Sequence, residues 1–151
     1  MIRLQTSKGR EIPNHQLSEL TAFDRNWSAT LPQKYTQAVF RTDSCPVYNC
    51  HGLTFGSRRT RIPDMESVQM ILEDDAYVEI TNPHDVIPGD IIIYVGNDGD
   101  FTHSGIVVEV DRMLHVPRIC SKWGGGPEVV HLLADVPPVY GSTHRYYRCK
   151  L

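Results

Sequence analysis

The architecture of this chain can be predicted from one segment, Pro88 to Val110, which reads Pro-Gly-Asp-Ile-Ile-Ile-Tyr-Val-Gly-Asn-Asp-Gly-Asp-Phe-Thr-His-Ser-Gly-Ile-Val-Val-Glu-Val. The unbroken apolar run from Ile91 to Val95 predicts a strand that is covered on both faces. The glycine-rich and aspartate-rich residues that follow favour a turn. From Ser104 to Val110, successive side chains then fall into two alternating sets that point to opposite faces. This pattern predicts a second strand, paired antiparallel with the first.

His103 stands at the entrance of this second strand, and Gly105 lies two residues further along the same face. Because glycine has no side chain, a neighbouring element can pack closely at this point. We predict that this element is a short helix that begins near Cys50 and crosses the face that carries His103.

Composition and charge limit the possible classes of function. The 151 residues suit one domain spanning 1–151, and 40% apolar with 22% charged residues is typical of a soluble globular protein. A net charge of −3 and a pI near 6.1 do not favour nucleic acid or an anionic membrane as a partner. The N-terminus lacks the apolar run of a secretory signal. We therefore expect a cytoplasmic protein, with export by a specialised system left open.

The order of the predicted elements indicates an α+β fold. Apolar spacing predicts helices within residues 14–35 and 63–74, ahead of most of the strands. Further strands are predicted at residues 77–80, 118–123, 128–133 and 144–149. The expected architecture is a set of N-terminal helices packed on an antiparallel sheet of about five to six strands.

The four cysteines, Cys45, Cys50, Cys120 and Cys149, contain no Cys-x-x-Cys pair. Without a signal peptide, disulfides are not favoured. Cys45, Cys50 and His51 lie close together in sequence, so a small metal site on these residues is one alternative. Our prediction is that no cofactor or metal is needed and that cysteine serves packing or chemistry.

Asn49 to Gly56 forms a short helix-like segment, and Cys50 lies near its N-terminus. A helix N-terminus and a nearby imidazolium both lower a thiol pKa, which converts the thiol to the nucleophilic thiolate. The backbone N–H groups of Cys50 and His51 can hold the oxyanion of a tetrahedral intermediate. Together with His103, this arrangement would allow nucleophilic catalysis by cysteine, but a Cys and a His taken alone are more often core residues.

Three segments carry a resemblance to a known family: Asn49-Cys50-His51-Gly52-Leu53, Pro88-Gly89-Asp90-Ile91-Ile92-Ile93-Tyr94 and His103-Ser104-Gly105-Ile106-Val107. They resemble the Asp-Cys-Ser-Gly-Leu segment, the Pro-Gly-Asp strand and the His-Val-Gly-Ile-Tyr strand of the NlpC/P60 cysteine peptidases, and they occur in the same order. The resemblance implies a papain-like fold. It also implies that Cys50 is the nucleophile and His103 the general base.

A third catalytic residue, which orients the base, has two candidates. The family usually places a polar residue on the strand that follows the base, and His115 has that offset from His103. However, Pro117 follows it closely, and a longer hairpin loop would bring Ser121 opposite His103 instead. We favour His115 over Ser121.

Two departures from the family pattern affect the expected substrate. Asn49 replaces the family's Asp, and His51 replaces its Ser. The resemblance implies a thiol hydrolase that cleaves an amide or peptide bond in a peptidoglycan fragment or a protein. The alternatives are an acyl or amide transferase, a secreted effector that uses the same Cys-His pair, and a non-catalytic binding module on the same fold.

Overall fold

A computed structural model describes residues 1–150 of the chain. Within these residues there are three α-helices, α1 (Ala22–Lys34), α2 (Cys50–Phe55) and α3 (Met65–Asp74). Short 3₁₀ turns occur at Pro83–Asp85 and Pro138–Tyr140. The strands are β1 (Val39–Phe40), β2 (Tyr77–Ile80), β3 (Ile91–Val95), β4 (Phe101–Val110), β5 (Pro117–Lys122), β6 (Glu128–Leu132) and β7 (Thr143–Cys149).

Residues 1–150 place all of these strands in one sheet with the order β1-β6-β5-β4-β3-β7-β2, and all neighbours are antiparallel. The predicted α+β class is confirmed. The predicted strand number of five to six was too low, because the sheet has seven strands. The strand without a sequence prediction is β1, which has only two residues and is too short to show alternation.

β3 is the central strand that the apolar run predicts, since every residue from Ile91 to Val95 is buried. On one face, Ile93 packs with Val68 of α3. On the other face, Ile92 packs in the cluster that contains Leu31 of α1. Helices therefore cover both faces of β3, which explains why the run does not alternate.

The pairing of β3 with β4 was predicted, and the structure gives its register. Ile91 lies opposite Ile106, and Tyr94 lies opposite His103. The register shifts between Tyr94 and Val95, which is a bulge at the end of the strand that carries His103. Bulges increase local twist and redirect neighbouring side chains. The bulge lies directly beside His103, at the end of the β3–β4 pairing.

Candidate active site

The start of α2 is held in place by the Asn49 side chain. Its Oδ1 accepts hydrogen bonds from the backbone N–H of Gly52 at 2.9 Å and of Ile62 at 3.1 Å. Its Nδ2 donates to the Ile62 carbonyl at 2.9 Å. Asparagine is a favoured N-cap because its side chain satisfies an N–H that the helix leaves free. The same side chain ties the first turn of α2, and hence Cys50, to a separate segment of the core.

α2 packs against the face of the sheet opposite to the one we predicted. Thr54 of α2 accepts a hydrogen bond from Ser104 at 3.0 Å, and Leu53 packs with Cys120. The Gly105 face is not free, because a Cβ at position 105 would lie 2.7 Å from Ile119 and 3.0 Å from Ser121. The absent side chain therefore makes room for the neighbouring strand β5 and not for a helix.

Cys50 and His103 nevertheless come together at the end of the sheet. The β4–β5 ladder is paired only from Ile106 and Cys120 onwards. The first part of β4, up to Gly105, is paired only with β3, and the last two residues of β5, Ser121 and Lys122, are paired only with β6. These two strand ends are therefore not paired with each other. The His103 imidazole lies near enough to the Cys50 thiol to lower the pKa of the thiol, although neither ring nitrogen forms a hydrogen bond to it.

Two imidazoles act on the buried Cys50 thiol, which is 8% exposed. Burial opposes the thiolate charge, but the charges and hydrogen-bonding capacity of His51 and His103 outweigh this effect and hold the pKa of Cys50 well below its ordinary value. Burial alone would lower the pKa of His51, but the neighbouring Cys50 thiolate outweighs burial, and the pKa is raised. The neighbouring imidazoles therefore favour the thiolate form of Cys50.

The His51 ring is part of a buried chain of hydrogen bonds, which the sequence did not indicate. Its Nδ1 lies 2.8 Å from the Ser104 hydroxyl, and the Ser104 hydroxyl donates to Thr54 at 3.0 Å. Thr54 in turn donates to the Cys50 carbonyl at 3.0 Å. Because the Ser104 proton is used on Thr54, Ser104 accepts from His51, and Nδ1 carries the proton. Nε2 of His51 is thus left available to the thiol.

His103 is fully buried and is held by aromatic contacts. Its ring stacks on Tyr140, with centroids 3.8 Å apart and planes 4° from parallel, and its centroid lies 5.5 Å from that of Tyr94. Neither ring nitrogen makes a hydrogen bond of ordinary geometry with any residue between 1 and 150. A buried imidazole without a fixed partner is costly in a core, and such groups are found at catalytic sites.

Ser121 lies on the face that carries His103, next to Gly105, in a second buried polar chain. The Trp123 indole donates to the Ser121 hydroxyl at 3.1 Å, and that hydroxyl lies 2.6 Å from Nε2 of His131. Nδ1 of His131 faces the Leu132 carbonyl at 2.7 Å and must therefore carry the proton, so Ser121 donates to Nε2. Burial lowers the pKa of His131 to about 4, which keeps this ring neutral at neutral pH.

His115 is not brought to the Cys50–His103 pair. It lies in the exposed turn that joins β4 to β5, with a left-handed φ of 52°, and its ring packs against His84 at 4.9 Å. This turn follows Val110, whereas His103 is near the other end of β4. His103 and Val110 are seven positions apart along β4, at about 3.3 Å per residue. The loop between β4 and β5 is longer than the spacing from His103 to His115 had implied. Of the two candidates for the third catalytic residue, only Ser121 lies near His103.

The metal-site alternative finds no support in the geometry of residues 1–150, which contain no group of three His, Cys, Asp or Glu side chains able to hold an ion. Beside Cys45 there is instead the buried Lys122, whose ammonium donates to the Cys45 carbonyl at 2.7 Å and the Gly124 carbonyl at 2.8 Å. Burial lowers the pKa of Lys122 to about 8.

A buried carboxylate fixes the segment that leads into Cys50. Glu128 accepts two hydrogen bonds from Arg58, at 2.7 and 3.1 Å, and one from Arg41 at 3.1 Å. It also accepts a hydrogen bond from the hydroxyl of Tyr48, two residues before Cys50. A bidentate arginine–carboxylate pair is among the more strongly oriented contacts in proteins.

Among the helices of residues 1–150, none has both the length and the apolar character needed to cross a membrane. In comparisons with known proteins, no family model matches the chain, no curated protein matches it, and no solved structure matches its fold. The case for a function therefore depends on the chemistry of the site.

Proposed function

We propose that this protein is a thiol hydrolase of amide or peptide bonds, with a papain-like arrangement of the kind found in the NlpC/P60 peptidases. The observation that carries the proposal is a buried cysteine at the first residue of a helix, with two imidazoles within reach of its thiol. Structural cysteines in apolar cores have raised pKa values and are inert. Cys120 illustrates this, because burial raises its thiol pKa.

In the proposed reaction, the Cys50 thiol passes its proton to His103, and the resulting thiolate, which His51 also stabilises, attacks the carbonyl carbon of the amide. The oxyanion that forms is held by the backbone N–H groups of Cys50 and His51. The His103 imidazolium donates a proton to the leaving nitrogen, the C–N bond breaks, and an acyl thioester remains on Cys50. Water then attacks the thioester while His103 accepts its proton, and the acid product leaves with the thiolate restored.

The two imidazoles have different tasks in this proposal. His51 is fixed by Ser104 and Thr54, so it is suited to stabilising the resting thiolate. His103 has no fixed hydrogen-bond partner within residues 1–150, so it is free to pass a proton to the leaving group. Ser121 is the proposed positioning residue. Its oxygen already accepts from Trp123 and retains one lone pair for a His103 imidazolium.

The experiment that tests the proposal is the pH dependence of iodoacetamide labelling, followed for each cysteine by mass spectrometry. The labelling rate of an ordinary thiol falls about tenfold per pH unit below its pKa, and the exposed Cys149 serves as the reference cysteine. Labelling of Cys50 should stay nearly constant from about pH 8 to pH 6, because its lowered pKa keeps it ionised.

Comparing slopes and not absolute rates removes the effect of burial on access to Cys50. If Cys50 and Cys149 lose reactivity in parallel, the thiol is not activated. The fold would then be better explained as a non-catalytic binding module.

A variant at His51 tests the division of tasks. In His51→Asn, the amide nitrogen can take the place of Nδ1 and keep the hydrogen bond to Ser104, while the titrating ring is lost. We expect the pKa of Cys50 to rise, so that its labelling at pH 6 falls at least severalfold relative to pH 8. If the pH dependence of Cys50 labelling is unchanged in this variant, His103 alone stabilises the resting thiolate. His84→Asn, which alters an exposed imidazole outside the site, is the control.

A further inference from the structure

A groove of about 500 Å³ lies between α1 and the Pro137–Tyr140 segment. Its walls are mainly aromatic and aliphatic, and they include Phe23, Trp27, Leu31, Tyr35, Val139 and Tyr140. Sites for small ligands have this size and this apolar character.

The two walls of the groove present unusually exposed apolar side chains. Phe23 on α1 is 70% exposed and stacks on Trp27, with ring centroids 6.2 Å apart. Val139 on the opposite wall is 76% exposed. Large apolar groups left in water on facing walls carry a free-energy cost that an apolar occupant would remove.

The inner wall connects the groove to the catalytic pair. Tyr140 lines the groove, and its ring also stacks on His103 with the two ring centroids 3.8 Å apart. An occupant of the groove that touches Tyr140 is therefore separated from the His103 imidazole by a single residue.

We infer that the groove binds a large apolar substituent on the amine side of the scissile bond, of about the size of an indole ring. This inference depends on the proposed function. His103 donates its proton to the leaving nitrogen, so that nitrogen must lie at an edge of the His103 ring. A substituent on it that extends past Tyr140 enters the groove, whereas the acyl part remains beside Cys50.

The test uses the reverse step, in which an amine attacks the acyl-enzyme from the site that the leaving amine occupied. p-Nitrophenyl acetate is supplied as the acyl donor: the Cys50 thiolate attacks its carbonyl, the C–O bond breaks, and p-nitrophenolate leaves. The acetyl group is then transferred to water, to glycinamide or to L-tryptophanamide, and the N-acetyl products are measured by chromatography.

The wild-type protein should transfer acetyl to L-tryptophanamide roughly 10-fold or more in preference to glycinamide, because the indole is buried in the groove. Phe23→Ala and Val139→Ser should each reduce this preference at least severalfold and leave the rate of Cys50 acetylation unchanged. Both residues are mostly exposed, so their replacement should not unfold the protein. Leu114→Ala, at a 74% exposed position outside the groove, is the matched control and should not change the preference.

The two ways of failing are distinct. If p-nitrophenyl acetate does not acetylate Cys50 faster than Cys149, the proposed function is wrong. If Cys50 is acetylated but both amines accept equally, or if Phe23→Ala and Val139→Ser keep the wild-type preference, the groove does not bind the leaving amine and this inference is overturned.

Discussion

Replacing Cys50 by Ser is expected to reduce amide hydrolysis by roughly 10⁴-fold or more, the largest effect that we predict for any substitution. The serine hydroxyl has a much higher pKa than a thiol and is not ionised by the two imidazoles. The measurement is turnover of amide substrates, starting with stem-peptide fragments of peptidoglycan and short peptide amides, by the wild-type and variant proteins. His103→Ala should produce a comparable loss, because the leaving amine then departs without a proton.

A matched pair of controls distinguishes chemistry from folding. Cys120→Ser changes a buried thiol on the strand next to β4, and it should retain most of the activity. Circular dichroism melting of the Cys50 and His103 variants should show a folded protein. Retained turnover in a folded Cys50→Ser variant would exclude cysteine catalysis. If the wild-type protein also fails to cleave every amide tested, the slopes of thiol labelling decide between an unidentified substrate and a binding module.

Gly52→Ala is expected to destabilise the protein by about 3 kcal/mol, at the upper end of overpacking effects. A Cβ at this position would lie 1.8 Å from the backbone carbonyl oxygen of Thr60 and 3.2 Å from the Cβ of Tyr48. The carbonyl cannot rotate away as a side chain would, so α2 itself must shift. For a chain of this length, the expected fall in Tm is roughly 6–12 °C.

This shift should also impair catalysis, since Gly52 is two residues from Cys50 and donates its N–H to the Asn49 cap. Gly125→Ala is a suitable comparison, because the nearest atoms to a Cβ there, from 2.5 Å, belong to the Asp24 side chain, which is half-buried and can move. We expect its Tm to change by much less. Equal melting temperatures for the Gly52 and Gly125 variants would show that α2 tolerates displacement and that its close packing is not what positions the thiol.

The role of local pattern is clearest in β3. Five consecutive apolar residues require cover on both faces wherever the strand lies, and this requirement depends on no other part of the chain. The turn residues before Phe101 then return the chain beside β3, so the antiparallel pair follows from sequence alone. The short helix near Cys50 was similarly predicted from local pattern, and the structure adds that Asn49 is its N-cap.

The face on which α2 packs could not be obtained in this way. Gly105 was correctly interpreted as a point of close approach, but alternation cannot tell whether a helix or a neighbouring strand fills the space. The Ile119 and Ser121 side chains fill it, and this depends on the β4–β5 register. The same register places His115 away from His103. The sequence spacing between these two residues did not reveal the length of the hairpin loop.

By itself, then, the sequence determined which segments become the central strands and that a short helix lies near Cys50, because these depend on patterns within a few residues. Only the tertiary structure decided that the imidazole of His51 is buried on Ser104, that Ser121 lies on the face of His103, and that Tyr140 stacks on His103. These contacts join segments 37 to 53 residues apart or lie across strand pairs. Their formation depends on the free energy of packing the whole sheet, and no short pattern in the chain carries that information.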